Sequence, residues 1–218
     1  MDLIRLENIT IGVWPRKILD SVSISVKENE KVAICGGDDD MKKVTLLIMS
    51  AIFRPTLGKV EINGSNVLLN RSEARKCIGI GEFEGINDFD ESSTLYENLH
   101  FILRSLKVGG GKEKIVEISS RVRIDNLLDK KYYALDYLER SKASLAAALI
   151  NDPKLIILSE PTKNLTLKER AIFWKTCYKS IGNKALVFST RDIVEADKWA
   201  DRTFNFKGNR LLELTKKR

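Results

Sequence analysis

Residues 31–47 read KVAICGGDDDMKKVTLL. The apolar run Val32 to Cys35 predicts a buried strand, and the almost wholly apolar stretch from Val44 to Phe53 predicts a helix that Pro55 stops. Strand, glycine-bearing loop and buried helix in that order make a phosphate cradle. Glycines let backbone N–H groups close on phosphate oxygens at a helix N-terminus, a lysine reaches the outer phosphates, and a hydroxyl holds magnesium. The full pattern is GxxxxGK followed by Ser or Thr. Counted back from Thr45-Leu46-Leu47, the best register puts Gly37 at the first glycine, Lys42 at the second, Lys43 at the lysine and Val44 at the hydroxyl. The first glycine and the lysine survive; Val44 cannot ligate a metal. A bulky Lys42 at a loop position that needs positive φ costs about 1 kcal/mol or more. Asp38, Asp39 and Asp40 stand where a polyphosphate's charge would rest. Each carboxylate repels one unit of phosphate charge by about 3 kcal/mol at about 5 Å and an effective dielectric of about 20. Together they undo a typical nucleotide affinity unless they point outward or Lys42 and Lys43 neutralise them. The stretch keeps the frame of a nucleotide site and discards much of its chemistry.

Working outward, 218 residues make one large domain or a core with one inserted subdomain. A hydrophobic content of 43% and a charged content of 31% are ordinary for a soluble globular chain. No apolar run approaches the roughly 20 residues of a membrane span, and MDLIRLENITI alternates like a strand instead of resembling a signal peptide. The expected location is therefore cytoplasmic, or peripheral at the inner face of the cell membrane through a partner. Cys35, Cys77 and Cys177 are odd in number and widely spaced, which predicts reduced core residues instead of a disulfide framework or metal site. The net charge of +7 permits contact with nucleic acid or anionic lipid. Its basic residues are scattered apart from Lys216-Lys217-Arg218, and no aromatics interleave with them, which points to a solvated surface.

Residues 3–11 and 20–27 alternate as strands, and Val60-Glu61-Ile62 followed by Asn63-Gly64 is a hairpin signal within 59–69. An antiparallel sheet beside the cradle strand is expected. Residues 86–150 change character. Thr94 and Glu97 have capping-box spacing ahead of a helix through Leu106, Gly109-Gly110-Gly111 is a break, and an alanine-rich helical run covers 139–150. This stretch reads as an inserted helical subdomain within a single domain spanning 1–218. Leu155 to Leu158 and Ala185 to Thr190 read as central parallel strands, Thr166 with Glu169 opens a helix between them, and Phe204 to Leu214 folds back around Lys207-Gly208-Asn209. Strands alternating with helices around a P-loop predict an α/β core with a mainly parallel sheet.

The order of landmarks resembles the nucleotide-binding domain of ABC transporters over essentially the whole chain. Carrying the resemblance are Leu19-Asp20-Ser21-Val22-Ser23, Pro55-Thr56-Leu57-Gly58-Lys59-Val60 with Ile62-Asn63-Gly64, Thr94-Leu95-Tyr96-Glu97-Asn98-Leu99, Asp152-Pro153-Lys154-Leu155 and Glu160-Pro161-Thr162. It implies a P-loop NTPase fold and nucleotide contacts from Gly37, Lys42, Lys43 and Thr45; its adenine-stacking position falls at Val13 or, one residue on, at Trp14, whose alternative role is an exposed loop residue packed under Pro15. The chain contains no glutamine, and Phe83 takes the register of the family's magnesium-sensing glutamine, which implies an absent sensor, with substitution by the adjacent Glu82 or Glu84 as the alternative. The signature LSGGQ corresponds to Leu135-Asp136-Tyr137-Leu138-Glu139. The strand that normally ends in Asp then Glu here ends in Ser159 and Glu160, leaving Glu160 as the one matching catalytic group, a vestigial base whose alternative role is to hydrogen-bond the following turn. Thr166 replaces the D-loop aspartate and serves as a helix cap. Arg191 replaces the switch histidine, positioned to pair with a phosphate or with the aspartates of the loop; the single histidine, His100, falls in the helical insert.

Neither composite site of a dimer would then be competent. The expectation is a catalytically silent ABC-type ATP-binding subunit, with hydrolysis lost or severely impaired, that serves as a structural or regulatory partner of a membrane transporter or of an active ABC ATPase in a homo- or heterodimer. ATP is expected to bind weakly or not at all, and no magnesium site is expected. Two alternatives stand beside it: a working subunit that couples ATP hydrolysis to transport, and a basic nucleic-acid-binding adaptor, which the scattered charge disfavours.

Overall fold

The computed structural model describes residues 2–13, 15–67 and 69–214, with Arg16 described by its backbone. The N-terminal alternation becomes β1 (Asp2–Val13) and β2 (Arg16–Lys27), followed by the cradle strand β3 (Lys31–Gly36) and helix α1 (Asp39–Met49). Next come β4 (Leu57–Ile62), β5 (Ser65–Asn66), α2 (Arg71–Lys76) and β6 (Ile78–Ile80). Three helices follow, α3 (Leu95–Ser105), α4 (Gly111–Val122) and α5 (Tyr137–Leu149), with two short 3₁₀ turns between α4 and α5. The chain then returns to the sheet through β7 (Leu155–Leu158), α6 (Leu167–Ile181), β8 (Ala185–Ser189) and α7 (Ile193–Trp199), and closes with β9 (Arg202–Lys207) and β10 (Arg210–Leu214).

Two sheets result. The first is four-stranded and antiparallel in the order β2-β1-β4-β5, its β4–β5 hairpin turning at Asn63 and Gly64, both at positive φ as a two-residue turn of this kind requires. The second runs β10-β9-β3-β8-β7-β6, parallel throughout except for the β9–β10 hairpin at its edge. Its central strands are apolar on both faces because both are covered. Ile156 and Leu158 of β7 and Leu186 and Phe188 of β8 face a core shared with α3 to α6. Leu155, Ile157, Ala185 and Val187 face a second core shared with α1 and the antiparallel sheet. This alternation, one residue to each side, locks the register.

Both predicted capping boxes form, Thr94 with Glu97 and Thr166 with Glu169. Helix α1 differs from its sequence-based bounds of 44–53. It begins five residues earlier because Asp38 caps it, accepting the Met41 N–H at 2.8 Å, and it ends at Met49, where Ser50 closes the last turn. Cys35 and Cys177 are buried free thiols as expected, whereas Cys77, at the end of α2, is only half-buried. Among the described residues no helix is long and apolar enough to cross a membrane.

Candidate functional site

The parallel strands β3, β7 and β8 end side by side, so the loops that follow them, at Gly37, Ser159 and Thr190, meet at one edge of the sheet. Ligands of open α/β sheets bind at that carboxyl edge. Gly37 is required there by packing as well as by any ligand. Its φ is +60°, and a Cβ on it would stand 2.8 Å from the Cβ of Phe206 on β9. The early start of α1 converts the expected loop residues into helix. Lys42 therefore has helical backbone, and the strain predicted for it does not arise.

Four charged side chains alternate across this edge. The Nζ of Lys42 lies 3.0 Å from Asp39 Oδ1 and 3.1 Å from Glu160 Oε1. Arg191 faces the same two acids from the loop after β8. Its Nε donates to Asp39 Oδ1 at 3.1 Å, its Nη2 donates to Asp39 Oδ2, and its Nε lies 3.4 Å from Glu160 Oε2. The Lys42 side chain is 3% exposed and that of Glu160 14%, while Asp39 and Arg191 form the solvent-facing half at 52% and 59%. Glu160 Oε1 is buried, and its contact with Lys42 is ionic without hydrogen-bond alignment. The Arg191 guanidinium, and after it Lys42, hold the Asp39 carboxyl well below the usual carboxylate range. The charge of Asp39 is thus neutralised internally, as Asp38's carboxylate is spent on the helix cap. Glu160 does not use its side chain on the turn after it. Its backbone takes positive φ and its N–H donates to Ser189 Oγ at 3.0 Å.

Lys43 sits beside this cluster and not within it. Its ammonium donates to the backbone carbonyl of Glu84, whose carboxylate in turn pairs with Lys163 at 2.9 Å. Helix α1 and the loops after β6 and β7 are bridged in this way. Phe83 is fully buried in the core beneath α1 and the antiparallel sheet. Its neighbour Glu82 accepts from the Tyr132 hydroxyl at 2.6 Å and from the Phe89 N–H at 3.1 Å, tying this segment to the helical region. Thr45 is buried and its hydroxyl donates to the Met41 carbonyl at 2.8 Å, so it is spent inside α1. His100 stacks on Tyr96 in α3. Trp14 lies outside the described residues, as does the basic tail Lys216-Lys217-Arg218.

Beneath the cluster, the buried Glu195 carboxylate collects the Thr162 hydroxyl at 2.9 Å, the Thr190 hydroxyl at 2.7 Å and the Trp174 Nε1–H at 2.8 Å. One carboxylate thereby fixes the loops carrying Glu160 and Arg191 relative to each other. Sequence reasoning missed Glu195 and Lys163, and it considered Glu84 only as a substitute for the absent glutamine. The i,i+3 spacing of Asp39 and Lys42 was a legible signal of their pairing once the helix start was known. The acids of Leu135-Asp136-Tyr137-Leu138-Glu139 form a capping box on α5, with Glu139 N–H donating to Asp136 at 2.7 Å and Asp136 N–H donating to Glu139 at 2.9 Å.

A cleft of about 160 Å³ lies between Asp39, Lys43, Glu84, Ser159 and Lys163, and one of about 150 Å³ lies on the far side of Glu160. Both fall below the roughly 300 Å³ at which small-molecule sites begin. A wider hollow of about 420 Å³ opens outside the cluster, over Gly36, Gly37, Asp38, Asp39, Lys42 and Arg191.

The sequence profile described as ABC transporter matches residues 19–163. The chain belongs to the ABC transporter family. Among the relatives, it is 30% identical to the lipopolysaccharide export system ATP-binding protein LptB of Haemophilus influenzae over 164 residues, 74% of this chain and 68% of that protein. It is 28% identical to the molybdate/tungstate import ATP-binding protein WtpC of Pyrococcus abyssi over 217 residues, 97% of this chain and 62% of that protein. Two solved ABC cassettes share the fold. CbiO1 of Clostridium perfringens, part of the ABC transporter complex CbiONQ, superposes with a TM-score of 0.81 at 20% identity over 97% of this chain and 87% of its own. A dimeric bacterial ABC transporter cassette superposes with a TM-score of 0.81 at 22% identity over 98% and 99%. Within that ABC fold, the residues around the cradle depart from the magnesium-triphosphate pattern that the sequence resemblance implies. Val44 packs against the core, Phe83 is an apolar core residue, Ser159 offers a hydroxyl in place of a carboxylate, and an acid already stands between Lys42 and Arg191. Among the described residues, no cluster of three or more His, Cys, Asp or Glu offers a metal site.

Proposed function

We propose that the chain is a catalytically silent ABC-type ATP-binding subunit that works by association, as a structural or regulatory partner of a membrane transporter subunit or of a second ABC cassette, at the cytoplasmic face of the membrane. The observation that supports this most directly is the ion pair between Lys42 and Glu160. A general base must be free to accept a proton from water, and here the one carboxylate at that position is held between a buried lysine and Arg191. The metal-holding and signature positions support the same reading, since Val44 supplies no hydroxyl, Ser159 supplies no carboxylate, and Asp136 and Glu139 are consumed as helix caps. Association with a partner agrees with the complex that contains CbiO1 and with the dimer formed by the other cassette.

A second reading, a working subunit that couples hydrolysis to transport, is favoured by the presence of Lys43 and Glu160 at the lysine and base positions and by relatives named for ATP binding. Phosphate release from Mg-ATP by the purified chain separates the two. The expected rate equals the protein-free blank and is unchanged by Glu160→Gln. Magnesium-dependent turnover that Glu160→Gln abolishes would establish the working subunit instead.

A further inference from the structure

We propose that Asp39 is a built-in occupant of an anion site, its carboxylate standing in for a phosphate between Lys42 and Arg191, and that withdrawing it uncovers a latent site for a small tetrahedral oxyanion. The inference rests on the proposed silent reading, in which ATP is held weakly or not at all at the cradle. Two cations from different elements, one on α1 and one on the loop after β8, converge on one carboxylate. The grip of Arg191 is bidentate, the geometry in which a guanidinium fork receives carboxylate and phosphate alike. Lys42 is nearly inaccessible, so its ammonium is committed to the two acids it touches. Because Asp39 is covalently attached one turn from Lys42, its effective concentration at the cations is of order millimolar or higher, and a free anion must outcompete it.

Glu160 makes the site survivable without Asp39. It contacts both cations from the opposite side, so Lys42 and Arg191 keep a partner when Asp39 is removed. The four-group cluster then changes from neutral to a formal charge of one positive, with the open hollow of about 420 Å³ directly outside it. Asp38 remains on the rim of that hollow, committed to the α1 cap, and limits the gain.

The test is equilibrium dialysis of labelled inorganic phosphate at low ionic strength against the wild-type chain, Asp39→Ala, Asp39→Asn and Asp39→Ala/Arg191→Ala, each checked for native circular dichroism. Asp39→Ala should bind phosphate at least about tenfold more tightly than wild type. Asp39→Asn, which preserves shape and loses charge, should fall between them, and the double variant should return to the wild-type level. ATP without magnesium forms a second arm. Binding equal to phosphate marks a bare anion site and tighter binding marks a site for a nucleotide's terminal phosphates, and either supports Asp39 as the built-in occupant. Folded Asp39→Ala and Asp39→Asn that bind no better than wild type, or a gain that survives removal of Arg191, would overturn the proposal. Phosphate release from Mg-ATP by the wild-type chain is read separately and bears on the silent reading alone.

Discussion

Lys42 concentrates the energetics of the site in one side chain. It stands at the second-glycine position of the P-loop register, and its side chain is buried between two acids. A buried cation of this kind is tolerated because both partners lie within 3.1 Å. Lys42→Met keeps the volume and removes the charge, leaving the largely buried Glu160 with Arg191 as its remaining ionic partner. The expected loss is about 2–3 kcal/mol of unfolding free energy, and adding Glu160→Gln should recover at least about half of it, since both charges then leave together. Urea unfolding of the four proteins in this cycle measures the coupling. Additive losses would show that Lys42 and Glu160 do not interact.

At the scale of elements, the start of α1 decides what the aspartates do. Asp38 takes the N-cap and Asp39 and Asp40 fill the first turn, where negative charge meets the positive end of the helix dipole. A run that spoils a loop for phosphate is, for the same electrostatic reason, a good helix start. Asp38→Ala should therefore lower stability by about 1 kcal/mol, with Asp38→Ser retaining most of it; thermal unfolding with native circular dichroism provides the check, and an Asp38→Ala protein as stable as wild type would remove the cap from the account. The same substitution of role occurs at Asp136 and Glu139, whose reciprocal bonds start α5. Neither cap was read from the sequence, because the motif reading assigned Asp38 to a loop and Asp136 and Glu139 to the signature.

For the whole molecule, two cores on opposite faces of one sheet determine what solvent reaches. Cys35 on β3 is buried, Cys177 on α6 lies in the core shared with α3 to α6, and Cys77 sits half-exposed at the end of α2. Burial pushes the Cys35 thiol up to about 11 and that of Cys177 higher still. A thiol with a raised value is protonated and poorly nucleophilic near neutral pH. Titration of the native chain with an aromatic disulfide at pH 8 should consume one thiol promptly and the other two only in denaturant. Prompt reaction of more than one would mean that a core opens.

Fold class, the order of strands and helices, the Asn63-Gly64 hairpin and the caps at Thr94 and Thr166 were determined by sequence, because each depends on neighbours a few residues away: apolar period, turn chemistry and capping spacing. The candidate site was legible as a set of residues, Gly37, Lys42, Lys43, Glu160 and Arg191, but not as an arrangement. Arg191 was expected to pair with a phosphate or with the loop aspartates; that it grips Asp39, that Lys42 instead of Lys43 faces Glu160, and that Glu195 braces both loops was decided only by the tertiary fold. Asp39 and Arg191 are 152 positions apart, and Lys42 and Glu160 are likewise remote. Charges so distant in the chain are paired by the sheet order that brings β3, β7 and β8 to a common edge, and no local pattern encodes that proximity.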